Sequence, residues 1–147
     1  MSIRLLIADD HDLVREGLRQ IFERSGVEVV GEAGSAAEVL ERAVDVQVEV
    51  LLLDIGWISD DESTSSDTGL DLLEQIHALR PALPILMYSA QDGTTYLELC
   101  HCLGASGYLV KGIDDVLLVT AVHALYSGQQ IWSEAAQRGA LRQRIND

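Results

Sequence analysis

Short apolar segments alternate along this chain with stretches in which apolar residues recur every three or four positions. Continuous apolar runs are typical of strands buried on both faces of a parallel sheet, and the longer spacing is typical of helices that cover such a sheet. The alternation repeats five times, so we predict a doubly wound α/β domain with five parallel strands and five helices. The predicted strands are residues 3–8, 27–31, 48–53, 83–88 and 107–110.

Capping and breaking residues mark the helices between these strands. Asp12 is the predicted N-cap of the first helix, and the Ser35 to Glu38 sequence is typical of a capping box at the start of the second. The third helix contains Leu70, Leu73 and Ile76 and stops before Pro81; the fourth covers about 94–103, and the fifth covers 114–126. Glycines 26, 104 and 128 follow the first, fourth and fifth helices, where a glycine commonly ends a helix.

Two segments depart from this alternation. Residues 59–68 are polar, acidic and rich in serine, which predicts a long exposed loop. After Gly128 the chain continues through a short polar stretch that is too small for a second domain. We therefore predict one domain over residues 1–128 and a linker or tail over 129–147.

Composition narrows the classes of function. The formal charge is −14 over 147 residues, and such an acidic surface disfavours contact with nucleic acid or anionic membranes. The N-terminus lacks the features of a signal peptide and the longest apolar run is too short to span a bilayer, so we expect a cytoplasmic protein. Cys100 and Cys102 lie two apart in a predicted helix, which favours reduced packing residues over a disulfide or a metal site.

Polar residues follow four of the predicted strands. Asp9 and Asp10 follow the first strand, Asp54 the third, Ser89 the fourth and Lys111 the fifth. Ligands bind at the carboxyl ends of the strands in such sheets, so these side chains are expected at one site. Neighbouring carboxylates repel one another unless one is protonated or a cation joins them, and oxygen ligands favour Mg²⁺. A hydroxyl and an ammonium at the same edge suit phosphoryl transfer to a carboxylate. Each aspartate taken alone would serve equally well as a cap of the following helix or turn.

Four motifs in this order resemble the receiver domains of two-component response regulators. They are Leu5-Leu6-Ile7-Ala8-Asp9-Asp10-His11, Val50-Leu51-Leu52-Leu53-Asp54-Ile55, Leu86-Met87-Tyr88-Ser89-Ala90 and Gly107-Tyr108-Leu109-Val110-Lys111. The first and last motifs and the Val29 to Ala33 stretch most resemble the NarL/FixJ (LuxR-type) subgroup. The resemblance implies a flavodoxin-like sheet with strand order 2-1-3-4-5 and a role in transcription regulation. Members of the subgroup usually carry a helix-turn-helix domain after the receiver, so any DNA contact is expected outside this chain.

The resemblance also assigns roles to individual residues. Asp54 would accept a phosphoryl group from a sensor histidine kinase or phosphotransfer protein, and Lys111 would pair with its oxygens. Asp9, Asp10, Asp54 and the backbone carbonyl of Gly56 would hold Mg²⁺. Ser89 would hydrogen-bond the phosphoryl group. Tyr108 would then change rotamer and alter the face of the fourth helix, fifth strand and fifth helix, through which a homodimer is expected to form.

The sequence departs from the receiver pattern beside Asp54. Gly56-Trp57-Ile58-Ser59 replaces the usual Met-Pro segment, and Gly69 comes several residues late. The acidic residues inserted between them either slow attack by phosphodonors or form a solvated loop without kinetic effect. Trp57 is expected either to pack on the sheet edge or to cover the pocket. Gly112 follows Lys111, where many receivers have proline, so the sequence leaves the geometry of that peptide undetermined.

Two other classes of function fit parts of the sequence. A phosphatase of the haloacid dehalogenase type also uses an aspartate at a strand end, but it needs a second aspartate where Gly56 stands. An interaction module that keeps the receiver fold without phosphorylation is the alternative, although the complete set of site residues argues against it. The receiver interpretation makes the chain a phosphoryl acceptor and not an enzyme.

Overall fold

A five-stranded parallel sheet organises the part of the chain described by this computed structural model, which comprises residues 2–58, 64–90 and 94–132. The elements in chain order are β1 (Arg4–Ala8), α1 (Asp12–Arg24), β2 (Glu28–Ala33), α2 (Ala36–Ala43), β3 (Val50–Asp54), β4 (Trp57–Ile58), β5 (Thr64–Ser65), α3 (Ser66–Leu79), β6 (Ile85–Ser89), α4 (Thr94–Cys102), β7 (Gly107–Val110) and α5 (Asp115–Tyr126). The main sheet has the order β2-β1-β3-β6-β7, and β6 and β7 are its fourth and fifth strands in sequence. The predicted fold and strand order are therefore confirmed.

Each face of this sheet is covered by helices, which explains the continuous apolar strands. Along β1, Leu6 belongs to the core cluster that contains residues of α2, α3 and α4, whereas its neighbour Ile7 belongs to the cluster that contains residues of α1 and α5. Leu53 and Leu52 repeat this alternation on β3. Because apolar burial on both faces fixes the strands, the carboxyl edge of the sheet is a rigid platform for polar groups.

Of the two N-terminal caps predicted for the first two helices, one is present and the other is not. Ser35 accepts a hydrogen bond from the backbone N–H of Glu38 at 3.2 Å, so the capping box is present. Asp12, by contrast, is the first residue of α1, and His11 precedes it without a side-chain cap. The predicted N-cap role of Asp12 is wrong because its carboxylate instead accepts a hydrogen bond from the Arg15 guanidinium.

The predicted loop over residues 59–68 is shorter than expected. Trp57 pairs with Ser65 and Ile58 with Thr64 in an antiparallel ribbon, and α3 already begins at Ser66. Each of these strands has only two residues, which is too short for an alternating pattern to be recognised in the sequence. The acidic residues 60–62 lie outside the described residues.

The segment after α5 packs back onto the sheet. Ile131 is buried, its carbonyl accepts the N–H of Tyr108 at 3.0 Å, and its N–H donates to Ser106 at 3.1 Å. Cys100 and Cys102 are both free thiols; Cys100 is buried as the packing prediction requires, whereas Cys102 is exposed, so that prediction is wrong for Cys102. None of the helices in the described ranges combines the length and apolar character needed to cross a bilayer.

Candidate phosphoryl-acceptor site

Two buried carboxylates share one lysine at the carboxyl edge of the sheet. Asp9 follows β1 and Asp54 ends β3, and the two residues are 1% and 2% exposed. Lys111, directly after β7, donates from Nζ to Asp54 Oδ2 at 3.1 Å and to Asp9 Oδ2 at 3.4 Å. The parallel register thus brings together residues that lie more than one hundred positions apart in the chain.

Asp10 and His11 complete a cluster of four potential ligands. His11 Nδ1 lies 2.7 Å from Asp9 Oδ1, 3.1 Å from Asp10 Oδ1 and 3.8 Å from Asp54 Oδ2. One ligand atom from each of the four residues lies within 4.8 Å of all the others. The sequence places His11 next to the acidic pair but does not give the direction of its imidazole, which the structure shows to point at the carboxylates.

The charge balance of the pocket is unfavourable to Asp54. Burial, and after it the neighbouring charge of Asp9, raise the pKa of Asp54 to about 6 against the opposing effect of Lys111. Ionisation of Asp54 therefore costs free energy in the folded state, and a further positive charge nearby would lower that cost. Closely spaced carboxylate oxygens are the donors that hard divalent cations prefer, so this acidic pocket fits a divalent metal ion.

The turn after Asp54 is braced by two hydrogen bonds. The Gly56 N–H donates to Asp54 Oδ1 at 3.2 Å, and the indole N–H of Trp57 donates to the Asp54 carbonyl at 2.6 Å. Trp57 is 2% exposed and packs among the residues of the α2, α3 and α4 side. Of the two expectations for Trp57, the structure therefore supports packing on the sheet rather than a cover over the pocket.

Gly69 allows α3 to approach this same turn. A Cβ atom at position 69 would lie 2.2 Å from the carbonyl oxygen of Ile55, so no larger residue fits without displacing the backbone. The late glycine of the sequence thus contacts the phosphoacceptor turn from the first part of α3.

Ser89 and Tyr108 occupy the neighbouring strands. Ser89 is fully buried at the end of β6, and its carbonyl accepts the backbone N–H of Lys111 at 2.7 Å. Tyr108 is 4% exposed and its ring packs inward with the α2, α3 and α4 side. Gly112 has a φ of +91° in a trans peptide, a conformation that suits glycine.

Two residues that the sequence did not single out contact the site. The Arg15 guanidinium donates to the backbone carbonyl of Asp9, which ties the first turn of α1 to the end of β1. The Tyr88 ring lies below the Lys111 ammonium, with 5.1 Å between Nζ and the ring centroid. Burial, together with the charges of Asp9 and Asp54, raises the pKa of Tyr88 to about 12, so its hydroxyl stays neutral.

Comparison with known sequences gives a consistent family. Residues 5–123 match the family model described as "Response regulator receiver domain". The chain is 32% identical over 142 residues to the nitrate/nitrite response regulator protein NarP of Escherichia coli, covering 96% of this chain and 62% of NarP. It is 34% identical over 143 residues to the response regulator UvrY of Escherichia coli, again covering 96% of this chain and 62% of the relative. The chain thus spans less than two thirds of the length of these relatives.

Solved structures agree with the sequence comparison. A LuxR-family two-component response regulator from Aurantimonas superposes with a TM-score of 0.80 and 27% identity, covering 99% of both chains. The isolated receiver domain of RcsB from Salmonella enterica, solved with the phosphomimetic BeF₃⁻, gives a TM-score of 0.77 at 25% identity over 94% of this chain and 98% of that one. The resemblance to NarL/FixJ (LuxR-type) receivers is confirmed. The chain belongs to the receiver domain family of two-component response regulators.

Proposed function

We propose that this receiver accepts a phosphoryl group on Asp54. The observation that carries the proposal is the arrangement of Asp54 at the end of β3, 2% exposed, with the sole lysine of the chain 3.1 Å from its carboxylate. A carboxylate oxygen of Asp54 attacks phosphorus and forms an acyl phosphate. The bond between phosphorus and the donor breaks, and its electron pair leaves with the donor, which is an imidazole nitrogen in the case of a phosphohistidine.

Each neighbouring residue has a place in this proposal. Lys111 pairs with the phosphoryl oxygens, as its ammonium already pairs with Asp54. Ser89, buried at the end of the adjacent strand, hydrogen-bonds the transferred group. Tyr108 changes between inward and outward rotamers and carries the change to the α4, β7 and α5 face.

The metal of the proposal is Mg²⁺, held by Asp9, Asp10, Asp54 and the backbone carbonyl of Gly56. Mg²⁺ would neutralise the carboxylates and orient the phosphoryl oxygens. The donor chemistry supports this choice, because three carboxylates converge on one point and one of them, Asp54, is buried with a raised pKa.

The partners follow from the family and from the charge. We propose a sensor histidine kinase or phosphotransfer protein as the donor, and a homodimer through the α4, β7 and α5 face as the output. With a formal charge of −14, the chain itself is not expected to bind DNA, and a transcriptional role would need a helix-turn-helix domain beyond residues 129–147. The chain is then a phosphoryl acceptor in the cytoplasm and not an enzyme that turns over a substrate.

The proposal is tested by intact mass after incubation with acetyl phosphate and Mg²⁺. We expect one added phosphoryl group on the wild type, none on Asp54→Asn, and an unchanged yield on Asp71→Asn, which alters an exposed carboxylate of α3. Omission of Mg²⁺ should abolish the adduct. A wild type that takes no phosphoryl group and binds no Mg²⁺ would contradict the proposal and favour an interaction module without phosphorylation.

A further inference from the structure

A tyrosine ring supports the ammonium of the site lysine. Lys111 is the only lysine in the sequence, and its Nζ lies over the ring of Tyr88, 5.1 Å from the centroid. Tyr88 is 7% exposed and its ring packs with the α1 and α5 side. The ring therefore separates the ammonium from the apolar layer beneath it.

The pairing of β6 with its two neighbouring strands, β3 and β7, determines the position of Tyr88 relative to Lys111. Tyr88 on β6 is the register partner of Asp54 on β3 and of Leu109 on β7. The Lys111 N–H donates to the Ser89 carbonyl at 2.7 Å, which continues the pairing of β6 with β7. Tyr88 thus lies between the strand of the acceptor and the strand of the lysine.

An aromatic face can hold the Lys111 ammonium in position while the group that the ammonium contacts changes from a carboxylate to a phosphoryl group. Lys111 contacts Asp54 and Asp9, and on phosphorylation the oxygens that it meets near Asp54 become those of the phosphoryl group. The π face attracts an ammonium through its quadrupole and carries no formal charge. A third carboxylate in this position would draw the ammonium away from the phosphoryl oxygens, whereas the neutral ring does not compete with them.

We propose that Tyr88 is a positioning residue for phosphoryl transfer, whose ring face holds the Lys111 ammonium where the incoming phosphoryl group meets it. This inference rests on the proposed function, in which Asp54 is the acceptor. It concerns the aromatic face and not the phenol hydroxyl.

Three variants separate the ring face from the hydroxyl and from volume. Tyr88→Phe keeps the face, Tyr88→Leu removes it, and pentafluorophenylalanine at position 88 keeps the ring shape while reversing its quadrupole. With acetyl phosphate and Mg²⁺, we expect the phosphorylation rate of Tyr88→Phe to stay within about twofold of the wild type. The leucine and pentafluorophenylalanine variants should each be slower by about 3- to 10-fold, the range that a cation–π contact supports.

The single lysine provides a second readout that does not depend on activity. In protein labelled with ¹³C at lysine Cε, one side-chain signal is expected, and the ring current of residue 88 should shift its protons upfield. The shift should persist in Tyr88→Phe and disappear in Tyr88→Leu. Because the fluorinated ring has nearly the shape of phenylalanine, it keeps the experiment informative even if Tyr88→Leu does not fold.

The outcomes distinguish this inference from the proposed function. If the wild type is phosphorylated on Asp54 and the pentafluorophenylalanine variant reacts at the rate of Tyr88→Phe, Tyr88 has no positioning role and the inference is overturned. A slow Tyr88→Phe variant would also overturn it, since the hydroxyl would then be the active group. If the wild type takes no phosphoryl group at all, the proposed function fails, and this inference fails with it.

Discussion

A cationic side chain lies at each end of the central sheet, and the two side chains contact different kinds of acceptor. At the amino end, Arg80 follows α3 and donates from one nitrogen to the backbone carbonyls of Ala43, Asp45 and Val48, at 3.1, 2.9 and 3.0 Å. At the carboxyl end, Lys111 pairs with two ionisable carboxylates whose neighbour Asp10 adds further negative charge. The arginine meets neutral acceptors, whereas the lysine is one positive charge among three acidic groups.

This difference separates stability from function within one sheet. The carbonyl oxygens that Arg80 contacts carry no formal charge. Arg80 therefore connects α2 to the start of β3 without bringing like charges together at the amino end. At the carboxyl end the raised pKa of Asp54 records an imbalance that a metal ion and a phosphoryl partner can relieve. In this chain the site thus lies at one end of a sheet whose other end is stabilised by contacts to uncharged acceptors.

Removal of the arginine should give the largest loss of stability. Arg80→Ala leaves three carbonyls without their charged donor, and we expect a decrease of about 3 kcal/mol in the free energy of unfolding. Urea denaturation measures the loss, and Arg42→Ala is the control, because the exposed Arg42–Glu38 pair is expected to contribute at most about 0.5 kcal/mol. If the two substitutions lowered the free energy of unfolding equally, Arg80 would not stabilise the amino end of the sheet more than an exposed ion pair does.

The turn that carries Asp54 should show a smaller effect. Trp57→Phe removes the indole N–H that reaches the Asp54 carbonyl, and we expect a loss of about 1 to 2 kcal/mol. The matched control is Trp132→Phe, whose N–H donates to the side chain of Gln130 near the surface. Circular dichroism during urea unfolding compares the two variants, and an equal loss in both would assign no special bracing to Trp57.

The contribution of Ser35, an uncharged residue near the carboxyl end of the sheet, to stability should not depend on pH or Mg²⁺. Ser35→Ala removes the cap of α2, which follows β2, and should cost about 1 kcal/mol. Because no buried charge is involved, thermal unfolding should show the same cost at pH 6 and pH 8 and with or without Mg²⁺. If the stability cost of Ser35→Ala changed with Mg²⁺, then location at the carboxyl end of the sheet, and not buried charge, would determine how stability depends on the metal.

Much of this architecture could be predicted from the sequence, for a physical reason. Continuous apolar strands define a parallel sheet, and a parallel sheet places every strand end at one edge, so Asp9, Asp54, Ser89 and Lys111 could be brought together in advance. The predicted third strand stopped at Leu53, one residue before its observed end, which did not move Asp54 from the edge.

Other contacts depend on geometry that a single sequence does not contain. The position of Lys111 over Tyr88 follows from the register of β6 with β7, and the three bonds of Arg80 follow from the way that α2 and β3 meet. The ribbon of β4 and β5 has only two residues in each strand, too few for an alternating pattern to be recognised. The sequence places His11 next to the acidic pair, but only the structure shows that its ring points at the carboxylates.

The stability of the wild type and of Asp54→Asn as a function of pH, measured in the presence of a chelator, decides whether the carboxyl end of the sheet holds unrelieved charge. Folding raises the pKa of Asp54 from 3.8 to about 6, so the folded state binds more protons between these values. The wild type should therefore lose stability relative to Asp54→Asn as the pH rises from about 4 through about 6. Relative to the difference at pH 4, this change should favour the variant by up to about 3 kcal/mol at pH 7.

Addition of Mg²⁺ at pH 7 should reduce that difference, because an ion that binds the ionised carboxylates stabilises the folded wild type. A difference between the two proteins that did not change with pH, or one that moved in favour of the wild type as the pH rose from 4 to 7, would contradict the claim that the carboxyl end holds unrelieved charge for its function.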